Sequence, residues 1–320
     1  MTAETPPLAA RKPASRSLRE MLNRNPVVLK ELRGRMRGAR AFWVLGIYLL
    51  LMSAFVTLLY VLYVASTNSV GGGNSTQLVG KFVFGTIVGI ELLLVCFIAP
   101  AFTSGAISGE RERQTFDLLR TTLLPARALV FGKLASALSY IFLLLAAALP
   151  LQSLAFLLGG VAPQEVLIAT AVLIATAFLF GAAGLFFSSI MRRTLGATVL
   201  AYAFALFATL GLPLLLIIIL PLTSLAVFGA ETPSLLVQTV LLYGFGLLIA
   251  TNPVATVIAT EVLLVDQQTA FYFTETLTGP SGTSLTVPLV SPWLPFVVFC
   301  LALGALMVLL SIRFVRQVER

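Results

Sequence analysis

Histidine is absent from all 320 residues, which removes the commonest general base and the commonest metal ligand together. Cysteine is nearly absent: Cys96 and Cys300 are the whole supply, each inside a long apolar run, so neither a disulfide framework nor a metal site is indicated. Charge is scarce too. Asp, Glu, Lys and Arg make up 11% of the chain, against about a quarter in soluble proteins. No Gly-x-x-x-x-Gly-Lys-Ser/Thr occurs: Gly132-Lys133 is followed by Leu134 and has Arg127 where the first glycine belongs. The chain therefore has no phosphate-binding loop and cannot hydrolyse ATP by that route. The apolar runs hold no paired acids for a proton relay, which counts against an ion-coupled carrier. A polytopic lipid-modifying enzyme fares worse still, for want of clustered catalytic groups, and the chain is not expected to be an enzyme.

What is abundant is apolar surface: 58% of residues are hydrophobic and the mean hydropathy is +1.00. Such a chain buries itself in lipid rather than in one aqueous core. Its 21 basic residues are placed unevenly: ten in residues 1–40, five between Phe102 and Leu134, then Arg192 and Arg193, and three after Ile312. Lys81 is the lone exception. Basic loops resist translocation, so the clusters mark the cytoplasmic side, both termini included, and require an even number of crossings. The net charge of +8 is explained by these loops meeting anionic headgroups, and nucleic-acid binding is not expected.

Residues 1–24 read as a disordered cytoplasmic tail. Asn25-Pro26 then opens a basic amphipathic helix to residue 40, with Val28, Leu32, Met36 and Ala39 on one face, suited to lie in the interface. Phe42 to Ala65 would measure about 36 Å as a helix and is too long for a cleavable signal, so it reads as a retained span. Further spans are expected at 82–102, 134–158, 166–190, 195–220 (kinked at Pro213) and 293–312, with 313–320 a cytoplasmic tail. Between the last two spans lie about seventy residues with no Lys or Arg but with Glu231, Glu261, Asp266 and Glu275. Ser234 to Ala250 is apolar enough to cross, yet a lone crossing would strand the basic C-terminus outside. The break at Asn252-Pro253, followed by a second apolar stretch to Val265, suggests a hairpin over 234–265 that dips in and returns. Eight full crossings are the alternative. The expected fold is thus an all-α integral membrane protein: six transmembrane helices, an N-terminal interfacial helix, a helix between spans 2 and 3, and a re-entrant hairpin before the last span.

Two places could carry function. Glu91 sits halfway along the second span, where an ionised carboxylate costs several kcal/mol unless it faces protein, water or a partner. It either lines a path or subunit interface, or satisfies a neighbouring helix as a neutral acid. A hydroxyl, a backbone carbonyl or water is its expected partner. The second place is the loop Ala99-Pro100-Ala101-Phe102-Thr103-Ser104-Gly105-Ala106-Ile107-Ser108-Gly109-Glu110-Arg111-Glu112 and its continuation Arg113-Gln114-Thr115-Phe116-Asp117-Leu118-Leu119 to Pro125. Glu110 with Arg113 and Arg113 with Asp117 have helical pairing distance, while Phe116, Leu119 and Leu123 form a stripe. A short charged helix joined to two spans is a lever that a cytoplasmic partner could push; an ordinary solvated loop with ion pairs is the plainer reading.

This loop, together with Gly132-Lys133, the Asn25-Pro26-Val27 start with Lys30-Glu31-Leu32-Arg33, and Asn252-Pro253, resembles the type-2 permeases of ABC transporters. The resemblance implies six spans per permease, a second permease copy or homologue, and a cytoplasmic ABC ATPase encoded separately. It also implies that Glu110, Arg111, Glu112, Thr115 and Asp117 belong to a coupling helix that docks on the ATPase. ATP and magnesium would bind the ATPase, with no cofactor on this chain. Gln114-Thr115-Phe116 departs from the family's frequent Gly-Thr-Leu. The implied activity is that of the membrane subunit of an exporter, expected in a bacterial inner membrane. A non-transporting anchor that recruits an ATPase to an envelope complex is the alternative.

Overall fold

In lipid every backbone N–H and C=O must be satisfied within the protein, and a helix does so within one segment. The computed structural model follows this rule; it describes residues 39–69, 76–114, 125–211, 213–215, 217–219, 233–267, 269–279 and 283–318. The helices are α1 (Ala39–Ser69), α2 (Thr76–Thr103), the short α3 (Ser108–Glu112), α4 (Ala126–Leu158), α5 (Pro163–Ile190), α6 (Thr194–Leu206), α7 (Leu235–Ile249), α8 (Pro253–Gln267) and α9 (Trp293–Val318). Six segments are long and apolar enough to cross a membrane: those built on α1, α2, α4, α5, α6 and α9. The six expected spans are therefore present. The interfacial helix over 25–40 falls almost wholly outside the described residues.

α5 is the centre of the bundle, with α2, α4, α6 and α9 packed around it. Lipid tails are as apolar as leucine, so helices in a membrane gain by close approach rather than by escaping water. Small residues supply that approach. A Cβ at Gly184 of α5 would overlap the Thr103 hydroxyl of α2, and one at Gly304 of α9 would collide with the Phe178 ring. The interior they create holds Leu173, Phe180, Leu185, Phe296 and Cys300. α1 leans mainly on α2 and also touches α4, through buried Met52 and the stacked Tyr63 and Phe82 rings, 4.4 Å apart. Its outer face, with Phe42, Trp43, Leu50 and Leu51, is exposed as a lipid-facing helix should be.

The segment before the last span is where local chemistry decides most. α6 passes into a π-helical turn at Phe207–Gly211, just ahead of Pro213. Proline has no N–H, so neither the i−4 nor the i−5 carbonyl, Thr209 or Ala208, receives a bond from it. Asn252 occupies both: its Nδ2 donates to the Ala208 carbonyl and, at 3.1 Å, to the Thr209 carbonyl. Its Oδ1 accepts from the Ala255 N–H at 2.8 Å, capping α8 with Pro253 as the first helical residue. The chain bends by 119° between α7 and α8 at this point. It returns toward the end where α5 begins, where Leu264 meets Ile168 and Ala270. The expected break at Asn252-Pro253 is thus a real turn.

A β-hairpin follows that the sequence reading did not anticipate. β1 (Tyr272–Thr278) pairs antiparallel with β2 (Ser284–Val290), in register from Tyr272 opposite Val290 to Thr278 opposite Ser284. Gln238 Nε2 donates to the Thr278 carbonyl and Tyr243 Oη to the Pro288 carbonyl, fastening α7 to the hairpin. Trp293 Nε1 donates to the Ala270 carbonyl at 2.8 Å. The signal was available: Tyr272-Phe-Thr-Glu-Thr-Leu-Thr is rich in β-branched and aromatic residues and is followed by Gly279-Pro280.

Two boundaries also differ. α4 begins at Ala126, ahead of the span expected at 134–158, with Pro125 as the residue before its first turn. That places Lys133 inside a helix and buries it. The helix expected to run on to Leu119 is only Ser108–Glu112 within the described residues, and residues 115–124 lie outside them.

Candidate functional site

The bundle end that carries α3 is tied together by polar side chains. α2 ends as Thr103 Oγ1 returns a bond to the Ala99 carbonyl at 2.9 Å, and Ser104 Oγ meets Thr198 Oγ1 of α6 at 3.0 Å. The N–H groups that open α3 are satisfied from another helix. Ser188, near the end of α5, accepts from the Ile107 and Ser108 N–H groups at 2.9 and 3.0 Å. Ser188 was not singled out from sequence; a serine in an apolar helix gives no sign of which distant N–H it will meet.

The three charged residues of α3 then each hold a different element. Lys133 Nζ of α4 donates to Glu110 Oε1 at 2.6 Å. Arg111 Nη1 donates to the Met191 carbonyl, just past α5, at 3.4 Å. Glu112 accepts from the N–H and the hydroxyl of Thr194, which opens α6, at 3.0 and 2.6 Å. A carboxylate at a helix N-terminus is well placed electrostatically. Spacing within the loop pointed to Arg113 as a partner of Glu110; Lys133 is a partner from across helices. Arg113 and Gln114 are exposed. Thr115 and Asp117 lie outside the described residues. Of the five proposed coupling residues, three are therefore brought together, and their side chains point into their own bundle.

Glu91 lies elsewhere, 1% exposed, in the middle of α2. Gln152 Nε2 of α4 donates to both its oxygens, at 2.9 and 3.1 Å. A side-chain amide thus takes the place of the expected hydroxyl, backbone carbonyl or water. Both residues border a cavity of about 140 Å³ whose other walls include Phe142, Leu149, Thr170 and Ile174.

Lys81, the exception to the basic pattern, explains itself at the opposite end of the bundle. Its Nζ lies 3.6 Å from Glu165 Oε1 of α5 and 3.5 Å from Glu261 Oε1 of α8. A single ammonium between two carboxylates joins α2, α5 and the returning helix. Among the described residues no group of His, Cys, Asp and Glu could hold a metal ion.

The model of the family described as ABC-2 family transporter protein matches residues 26–317. No curated protein matches the chain.

Proposed function

Because the chain belongs to the ABC-2 family of transporter proteins, we propose that it is the permease subunit of an ABC exporter driven by a separate cytoplasmic ATPase. The observation that supports this most is the α3 knot. Glu110, Arg111, Glu112 and Ser188 tie a five-residue helix to α4, α5 and α6, so a displacement of α3 is passed to three spans together. Packed elements of this kind move as bodies between discrete arrangements, which suits alternating access.

In this reading the α3 end faces the cytoplasm of a bacterial cell, with both termini on that side. Glu110, Arg111 and Glu112 act as holding residues, and Arg113, Gln114, Thr115 and Asp117 present the surface to the ATPase. ATP and magnesium bind the ATPase. A second permease copy completes the translocation path, and the Glu91–Gln152 pair faces that path or the subunit interface.

The test begins by purifying full-length chain in mild detergent and identifying the ATPase that accompanies it. Arg113→Glu should weaken that association. Glu110→Lys with Glu112→Lys should keep it but change ATP turnover in liposomes, since an ammonium at 110 faces Lys133. Absence of any accompanying ATPase, or unchanged turnover in the double variant, would overturn the proposal.

A further inference from the structure

At the α3 end of the bundle, away from α3 itself, α4 and α9 leave a groove of about 710 Å³ between them. Arg127 lines it from the first turn of α4, and Arg313 and Arg316 from the last turns of α9. The floor is apolar: Phe131, Leu309 and Ile312. All three arginines are exposed, and among the described residues no carboxylate pairs with any of them.

We propose that this groove binds the headgroup of an anionic phospholipid, with an acyl chain along Phe131 and Leu309. Three features select this occupant. The first is charge complementarity. Guanidinium groups from two helices converge on one concave space, and a guanidinium pairs bidentately with phosphate oxygens. Basic pockets between membrane helices on the cytoplasmic side are suited to phosphate headgroups.

The second is the polarity of the lining along the helix axes. Arg127 to Phe131 is one turn of α4, and Arg316, Arg313 or Ile312, and Leu309 are successive turns of one α9 face. Charge therefore lies at the helix ends and apolar surface one to two turns inward. Leu309 is 63% and Phe131 50% exposed, so the floor opens sideways to the lipid tails. A soluble anion would use the arginines and gain nothing from that floor; a phospholipid uses both.

The third is size. The groove is far larger than a phosphate ion needs and lies within the range that holds small organic ligands. The inference rests on the orientation of the exporter reading but not on its cargo or its ATPase, because it concerns the lipid around the chain.

The test uses full-length chain in nanodiscs of phosphatidylcholine alone or with added cardiolipin, reading the melting temperature and, by native mass spectrometry, retained lipid. Cardiolipin should raise the melting temperature and remain bound after release from the disc. Arg313→Gln with Arg316→Gln should raise the cardiolipin needed for half the effect by about tenfold or more. The control, Arg192→Gln with Arg193→Gln, removes the same charge at the same end outside the groove and should leave that requirement unchanged. Should the α9 double variant fail to fold, Arg127→Gln reads the same site from α4, and Arg313→Lys with Arg316→Lys keeps the charge but loses the fork. Equal effects from the groove pair and the control pair would reduce the proposal to diffuse surface charge. Equal stabilisation by inorganic phosphate would make it a soluble-anion site, and no preference for cardiolipin over phosphatidylcholine would remove it altogether.

Discussion

Asn252→Ala should detach the returning helix from the bundle. The side chain is fully buried and serves three backbone groups: the Ala208 and Thr209 carbonyls and the Ala255 N–H. Each buried group left unmet costs about 1–3 kcal/mol, and relaxation makes the three less than additive, so a loss of about 3–4 kcal/mol is expected. The origin of the two carbonyls sharpens the test. Pro213 has no N–H to offer either of them, and Pro213→Ala supplies one. In that background Asn252→Ala should cost about 1 kcal/mol less, since Thr209 regains a helical donor. Trp293 is the reporter, because its indole bonds Ala270 beside the end of α8. Trp43, 70% exposed, is replaced by Phe to silence it. Unfolding of the purified chain in mixed micelles, titrated with SDS and followed by Trp293 fluorescence, gives the free energies. A loss below about 1 kcal/mol, or the same loss in both backgrounds, would refute the account of Asn252 as the partner of a π turn.

Two further outcomes follow from the other polar ties. Ser188→Ala removes the acceptor for the Ile107 and Ser108 N–H groups; a loss of about 2 kcal/mol is expected, with Ser188→Thr close to wild type in the same SDS titration. Lys81→Met leaves the Glu165 and Glu261 carboxylates facing one another without their shared cation. The partial exposure of Glu261 moderates the cost to about 2 kcal/mol, and adding Glu261→Gln should recover part of it; no recovery would mean that Lys81 acts through packing alone.

Much of the architecture was legible in one dimension. The six spans follow from runs of apolar residues longer than a bilayer core, and Asn252-Pro253 could be read as a turn because proline opens helices and asparagine caps them. α4 starts ahead of its expected span because hydropathy marks where a helix enters apolar surroundings, whereas Pro125 marks where it begins. The β-hairpin escaped because fourteen paired residues of mixed polarity carry a far weaker pattern than a twenty-residue apolar helix. At the candidate site the Glu110 to Glu112 neighbourhood stood out by its charges, but not what each charge would hold.

The amino-acid order settles that this chain lives in a membrane, which of its runs can cross, and where its irregular joints fall. Those properties depend on neighbours within a turn or two of helix and on the cost of carrying charge into hydrocarbon. Packing settles which residues act together: Lys133 with Glu110, Ser188 with the first turn of α3, Lys81 between Glu165 and Glu261, Gln152 on Glu91, Asn252 on α6. Partners in these sets lie from 23 to 84 residues apart in the chain, with Lys81 and Glu261 farther still. They become neighbours because glycine-lined helix faces let the spans close on one another at a particular rotation. No local pattern encodes that rotation, since it is fixed by every contact in the bundle at once.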